Sequence, residues 1–89
     1  MIERQAEIVN RLGLHARAAA KLVHTAGGFH SRVTVLKDGE EVDAKSILGI
    51  LLLAAGQGSQ VTVRCNGEDE EEAMCAVTRL IANRFDEES

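Results

Sequence analysis

Ile2, Ala6 and Ile8 alternate with Glu3, Gln5 and Glu7, a period of two that predicts a half-buried strand over Ile2–Val9, with Arg4 breaking the pattern near its start. Asn10 to Leu14 then reads as a loop. From residue 16 the period changes: Ala16, Ala19, Leu22, Val23 and Ala26 fall on one stripe of a helix running to about Ala26. Gly27-Gly28 is expected to end that helix as a glycine C-cap. Arg32–Leu36 returns to alternation with Val33 and Val35 inward, and Lys37-Asp38-Gly39-Glu40 reads as a tight hairpin because Asp-Gly supplies the positive φ angles of a type I′ turn. The short acidic strand that follows, Glu40–Asp43, suits a sheet edge, where charge discourages further pairing.

Ser46 stands before an apolar run and predicts a helix N-cap. Ile47 to Leu53 is apolar on every side apart from Gly49. A short helix in a small protein cannot bury every face. Some of Ile47, Leu48 and Leu51 are therefore expected to stay exposed, as a patch of the kind that marks protein interfaces. Gly56 and Gly58 bound a turn, Gln60–Asn66 is the last strand with Val61, Val63 and Cys65 inward, and Asp69 is placed to cap a final helix with an acidic first turn. Ala73, Val77, Leu80 and Ile81 give that helix its buried stripe, Phe85 closes its end, and Asp86–Ser89 is expected to fray. The order is βαββαβα, an α+β chain with helices on one face of an antiparallel sheet.

Composition narrows the function. The 89 residues predict one domain, spanning 1–89 without linker or repeat, and 45% hydrophobic content argues for a packed core rather than disorder. Phe29 and Phe85 are the only aromatics, which weighs against a single-strand nucleic-acid binder built on stacking. No apolar run is long enough for a membrane span and the start lacks a signal-peptide pattern, so the expectation is a cytoplasmic chain with no membrane insertion. Cys65 and Cys75, in apolar context and without a Cys-x-x-Cys spacing, read as reduced core residues, and neither a metal site nor a cofactor is expected. The net charge of −4 is unevenly spread: residues 1–37 hold six Lys/Arg against two acids, residues 38–89 four against twelve. The basic excess is too small for DNA or RNA but suits an anionic ligand or an acidic protein partner.

That basic part contains the chemistry. Gly13 permits a sharp turn and the alanines after it start a helix, so His15 sits where loop becomes helix. There the first backbone N–H groups, those of Ala16 and Arg17 among them, lack intrahelical partners and the macrodipole is positive, which makes an anion site. The pattern suits phosphoryl carriage. A neutral imidazole nitrogen attacks an activated phosphoryl group, and its charge meets the helix N–H donors and the planar fork of Arg17. A histidine that merely ends a loop is the plainer alternative. Arg17, Lys21 and His24 form a basic stripe at i, i+4 and i+7, which suits a solvated face and a partner-docking face equally. His24 and His30 have no ligand or nucleophile spacing and are assigned no chemistry.

The run Leu12-Gly13-Leu14-His15-Ala16-Arg17 resembles the active-site signature of the HPr family, the histidine-containing phosphocarriers of the bacterial phosphotransferase system. Lys45-Ser46-Ile47-Leu48-Gly49-Ile50 resembles the same family's serine region at the family's spacing from the histidine, and the likeness covers essentially the whole chain. The resemblance implies an open-faced β-sandwich in which three helices cover a four-stranded sheet. It also implies a monomeric carrier, not an enzyme, phosphorylated on His15 at Nδ1 by an enzyme I-type donor, with IIA-type domains as acceptors. It extends to Ser46 as a regulatory phosphorylation site served by a serine kinase or phosphorylase, beside the apolar patch of Ile47, Leu48 and Leu51 that the short helix by itself already marks for partner docking. Three positions depart from the family pattern. Ala18 stands where relatives commonly have proline, and His24 and Gly27 where sugar-system carriers tend to have lysines. A nitrogen-branch or regulatory carrier is thus an alternative to a sugar-system one. The rival from another class is a non-covalent regulatory module of ferredoxin-like type, with order βαββαβ.

Overall fold

The computed structural model describes all 89 residues. Four strands, β1 (Ile2–Glu7), β2 (Arg32–Lys37), β3 (Glu40–Asp43) and β4 (Gln60–Asn66), form one antiparallel sheet in the order β1-β4-β2-β3. Helices α1 (Ala16–Gly27), α2 (Ile47–Leu52) and α3 (Glu70–Ala82) follow β1, β3 and β4. The architecture is the α+β open-faced sandwich expected from the order of elements, and α3, which follows β4, is the helix that a chain of order βαββαβ would lack. No helix is long and apolar enough to cross a membrane.

Register explains the burial. Val33 pairs with Cys65 and Val35 with Val63, so the apolar alternates of β2 and β4 lie on one face beneath the helices. The opposite face carries charge: Arg64 Nε donates to Glu3 Oε1 at 2.5 Å across β1–β4, and Thr34 Oγ1 donates to Glu41 at 2.7 Å across β2–β3. Asp38 and Gly39 have φ of 51° and 83° and join Lys37 to Glu40 as a two-residue hairpin, the turn predicted from Asp-Gly. β3 lies at the edge as expected.

The core holds 20 buried residues drawn from every element except β1 and β3. Its centre is aliphatic, with Phe85 the one fully buried aromatic. α1 buries Ala18, Ala19, Leu22 and Ala26, whereas Ala16 is exposed and Val23 only half-buried. The stripe is thus rotated from the expected one, with Ala18 in the place of Ala16. The helix does not end on a left-handed glycine either. Gly28 keeps φ −76° and donates to Thr25 O at 3.2 Å, a tightened right-handed last turn. Cys65 is buried but Cys75 is exposed, being well off the Ala73–Met74–Val77–Ile81 stripe that α3 turns inward.

Asp69 stands at the N-cap position of α3 without capping it. Its carboxylate instead accepts from His30 N, Ser31 N and Ser31 Oγ at 2.9, 2.8 and 2.5 Å, tying the entry to β2 onto the start of α3. Those bonds, the Ser31 hydroxyl foremost, hold the Asp69 carboxyl down at about 2. The Gly67 N–H ahead of the helix is met by Glu70 Oε1 at 3.1 Å.

The end of the chain departs most from expectation. Arg84, Phe85 and Asp86 have φ of 58°, 54° and 63°, one left-handed turn that reverses the chain after α3. Such angles cost an L-residue about 1–2 kcal/mol each and persist only where surroundings over-determine them. Here Phe85 is fully buried and Lys21 Nζ donates to its carbonyl at 2.7 Å. Residues 86–89 therefore do not simply fray; Glu87 is folded back and hydrogen-bonded.

Candidate functional site

The loop that presents His15 is fixed from within. Gly13 has φ +66°, and a Cβ there would lie 2.5 Å from Ala55 O and 2.8 Å from Gly56 Cα. The glycine is required twice over, by conformation and by close backbone approach. Leu14 N donates to that same Ala55 O at 2.9 Å, and the Leu14 side chain is buried. Asn10, fully buried, donates through Nδ2 to Gly13 O at 2.8 Å, while Gly13 N donates to Asn10 O at 3.2 Å. The next residue, His15, is extended (φ −76°, ψ 178°) and serves as N-cap of α1, its carbonyl accepting from Ala19 N at 2.8 Å.

The N–H groups of Ala16 and Arg17 come before that first intrahelical bond and are left for an external acceptor. Leu12, His15, Ala16 and Arg17 line one shallow surface cleft together with Arg11 and the tail residues Glu87, Glu88 and Ser89. Two arginines thus line the cleft with His15, where the sequence points to one, and Arg17 is exposed and pairs with no acid of the chain. His15 Nε2 is hydrogen-bonded to Glu87 Oε2 at 2.5 Å, with the side chains 26% and 14% exposed, while the other carboxylate oxygen accepts from Asn10 Nδ2 at 3.0 Å. The Glu87 carboxyl is lowered from its ordinary value, first by the Asn10 hydrogen bond and then by His15 and Lys21, against the opposing effect of partial burial.

His15, Ala16 and Arg17, singled out in the sequence, therefore lie together. Lys21, placed on the basic stripe, is half-buried and holds the tail through Phe85 O, while His24 is exposed. Ser46, Ile47, Leu48 and Leu51 are not among the residues lining the cleft. Ser46 Oγ accepts from Gly49 N at 3.1 Å as the N-cap of α2. Ile47, Leu48, Leu51 and Leu52 are 45%, 67%, 36% and 68% exposed, and Ile50 alone turns fully inward. The expected apolar patch is present, with Leu52 added to it.

Sequence reasoning missed Asn10, Arg11 and Glu87. By sequence Asn10 is a loop residue, Arg11 a charge and Glu87 part of a fraying end, although an aromatic two residues before Glu87 is a sign that the tail is anchored.

The sequence matches the family described as "PTS HPr component phosphorylation site" over residues 2–83. It is 56% identical over 87 residues to the phosphocarrier protein HPr of Cupriavidus necator, covering 98% of each chain. The fold superposes on the crystal structure of HPr-C-His from Thermoanaerobacter tengcongensis with a TM-score of 0.96, at 48% identity and 100% coverage of both chains. On the phosphocarrier protein HPr of Bacillus anthracis the TM-score is 0.85 at 41% identity, covering 88% of this chain and 93% of that one.

Proposed function

The chain belongs to the HPr family of phosphocarrier proteins of the phosphotransferase system, and from that premise we propose that His15 accepts a phosphoryl group from an enzyme I-type donor protein and hands it to IIA-type acceptor domains. The observation that carries this reading is the placement of His15 at the N-cap position of α1, in one cleft with Arg11 and Arg17. A ring nitrogen attacks the phosphorus, and the incoming charge meets the unpaired N–H groups of Ala16 and Arg17, the positive end of the helix and the Arg17 fork. The cleft is shallow and nothing in it excludes water, which suits a group that must be reached by one protein and then another rather than turned over in place.

The test is intact mass after incubation with enzyme I and phosphoenolpyruvate. One acid-labile phosphoryl group is expected on the parent, none on His15→Ala, and nearly full labelling on His24→Ala and His30→Ala. Arg17→Ala should slow transfer with the fold intact, and Arg17→Lys should recover only part, because an ammonium cannot reproduce the bidentate fork. Normal labelling of His15→Ala would refute the assignment, and parental rates in both Arg17 variants would remove Arg17 from it.

Ser46 and the exposed side of α2 are proposed as a docking surface for these partners, with Lys21 and His24 at the basic stripe. What supports this is a set of apolar side chains left in solvent beside an N-cap hydroxyl. A phosphate on Ser46, added by a serine kinase, would bring about −1.5 to −2 charges to a helix N-terminus, where it is tolerated by the fold but meets an acidic partner unfavourably.

A further inference from the structure

The feature that the carrier reading leaves unused is the tail. Three consecutive left-handed residues are spent on turning it back, a fully buried Phe85 anchors it, Lys21 clips its carbonyl, and the result is that one carboxylate oxygen reaches Asn10 and the other reaches His15. Asn10 in turn holds the Gly13 carbonyl, so a single buried amide joins the loop before the histidine to the segment 77 residues further on. A surface tail of random charge has no reason to adopt this geometry at a cost in backbone strain.

We infer that Glu87 is a positioning residue of the phosphoryl site: its carboxylate, oriented by Asn10, accepts the Nε2–H of His15 and so presents Nδ1 as the nucleophilic nitrogen. The inference rests on the carrier reading above and deepens it. A neutral imidazole has one donor and one acceptor nitrogen, and the hydrogen bond made by one fixes the role of the other. A carboxylate can only accept, so Nε2 must carry the proton and the free electron pair belongs to Nδ1, which takes no hydrogen bond within the chain. The bond also holds the ring in place in the cleft that Arg11 and Arg17 line.

In the transfer step the Nδ1 pair forms the new bond to phosphorus as the bond from phosphorus to the donor protein breaks, and the donor's leaving group keeps that electron pair. No proton is lost from His15. The ring then carries phosphoryl on Nδ1 and hydrogen on Nε2, and is cationic. Its new positive charge faces the Glu87 carboxylate, so the same contact that orients the nucleophile also stabilises the product. This is the division of labour by which a buried carboxylate orients a histidine in hydrolytic triads, here without a serine.

The experiment compares Glu87→Ala, Glu87→Gln and Glu87→Asp with the parent and with His15→Ala. It reads initial rates of phosphoryl uptake from enzyme I and phosphoenolpyruvate, and 15N shifts of the His15 ring nitrogens above the pH at which the ring titrates. The parent is expected to show one locked tautomer with the proton on Nε2. Glu87→Ala should move both ring nitrogens toward averaged positions and slow uptake by at least about tenfold, the lower end for a lost hydrogen bond to a charged group. Glu87→Gln, which keeps an acceptor but loses the charge, should hold the tautomer and lose less rate; Glu87→Asp should recover part of both. A melting temperature kept near the parent in Glu87→Gln separates positioning from mere stability. Unchanged 15N shifts and rate in Glu87→Ala, with His15→Ala unlabelled, would leave carriage standing and overturn the role of Glu87. A faster Glu87→Ala would mean that the tail occludes the site, and overturns it equally. A labelled His15→Ala overturns both readings.

Discussion

Replacing Gly13 by alanine adds a single methyl group at the point where the active loop crosses the chain after α2. The site offers no room for it. At φ +66° an L-residue carries a penalty of about 1–2 kcal/mol. The new Cβ would also meet Ala55 O at 2.5 Å and Gly56 Cα at 2.8 Å, both backbone atoms that no rotamer change can move. Relieving such an overlap costs about 1–3 kcal/mol in a packed interior. Retreat of the loop stretches the 2.9 Å bond from Leu14 N to Ala55 O, a further contribution of about 0.5–1.5 kcal/mol where it is lost. Against this, alanine restricts the unfolded chain and returns about 0.4–1 kcal/mol. The net expectation is a loss of about 1.5–6 kcal/mol, read as a lower urea midpoint at unchanged m-value by circular dichroism. Gly27→Ala is the matched control, since a Cβ at that position meets nothing within 4 Å. It should be neutral or raise stability by up to about 1 kcal/mol, as alanine is the better helix former. Phosphoryl uptake should fall in Gly13→Ala beyond what unfolding explains, because a displacement of about 1 Å at a reacting group can cost about a hundredfold. A Gly13→Ala protein within about 0.5 kcal/mol of the parent would refute the argument that this close approach is what places His15.

Asp69 gives a pH signature. With its carboxyl at about 2 when folded against an ordinary 3.8, the stability it contributes is complete above 3.8 and is lost as pH falls through about 2. Glu87, Glu70 and Glu41 are lowered in the same sense. Urea midpoints of the parent should therefore decline over the acid range, and Asp69→Asn should be less stable at neutral pH with a shallower decline; parallel curves would refute the role of the Ser31–Asp69 tie. At α2, Ser46→Asp should lower affinity for enzyme I or an acceptor domain by calorimetry while keeping the melting temperature, since aspartate caps a helix about as well as serine. Leu48→Ala, at a side chain 67% exposed, should weaken the same binding with a stability change within about 0.5 kcal/mol. Unchanged affinity in both variants would take the docking role away from this surface.

What the sequence determined by itself is what local chemistry decides. The bounds of β4, the Asp38-Gly39 hairpin, the Ser46 cap and the solvent-facing leucines after it were all readable. Periodicity, turn residues and an apolar count that exceeds what a short helix can bury act within a few residues of one another. His15 at a helix start follows from the same kind of reading, and the family signature around it is what suggests the chemistry proposed for it. The tertiary structure decided the rest. Whether Ala16 or Ala18 turns inward depends on how α1 is rotated over the sheet, and alanine is equally at home in either place. Asp69 had a standard cap available in its own helix, yet its carboxylate goes to His30 and Ser31, 39 and 38 residues away. Glu87 looked like one more acid in a charged end, and it reaches His15 across 72 residues of chain because Phe85 is buried and the backbone before it is held left-handed. Single polar contacts at such separation leave no period and no turn motif in the sequence. They exist only after the core has formed and brought their partners together.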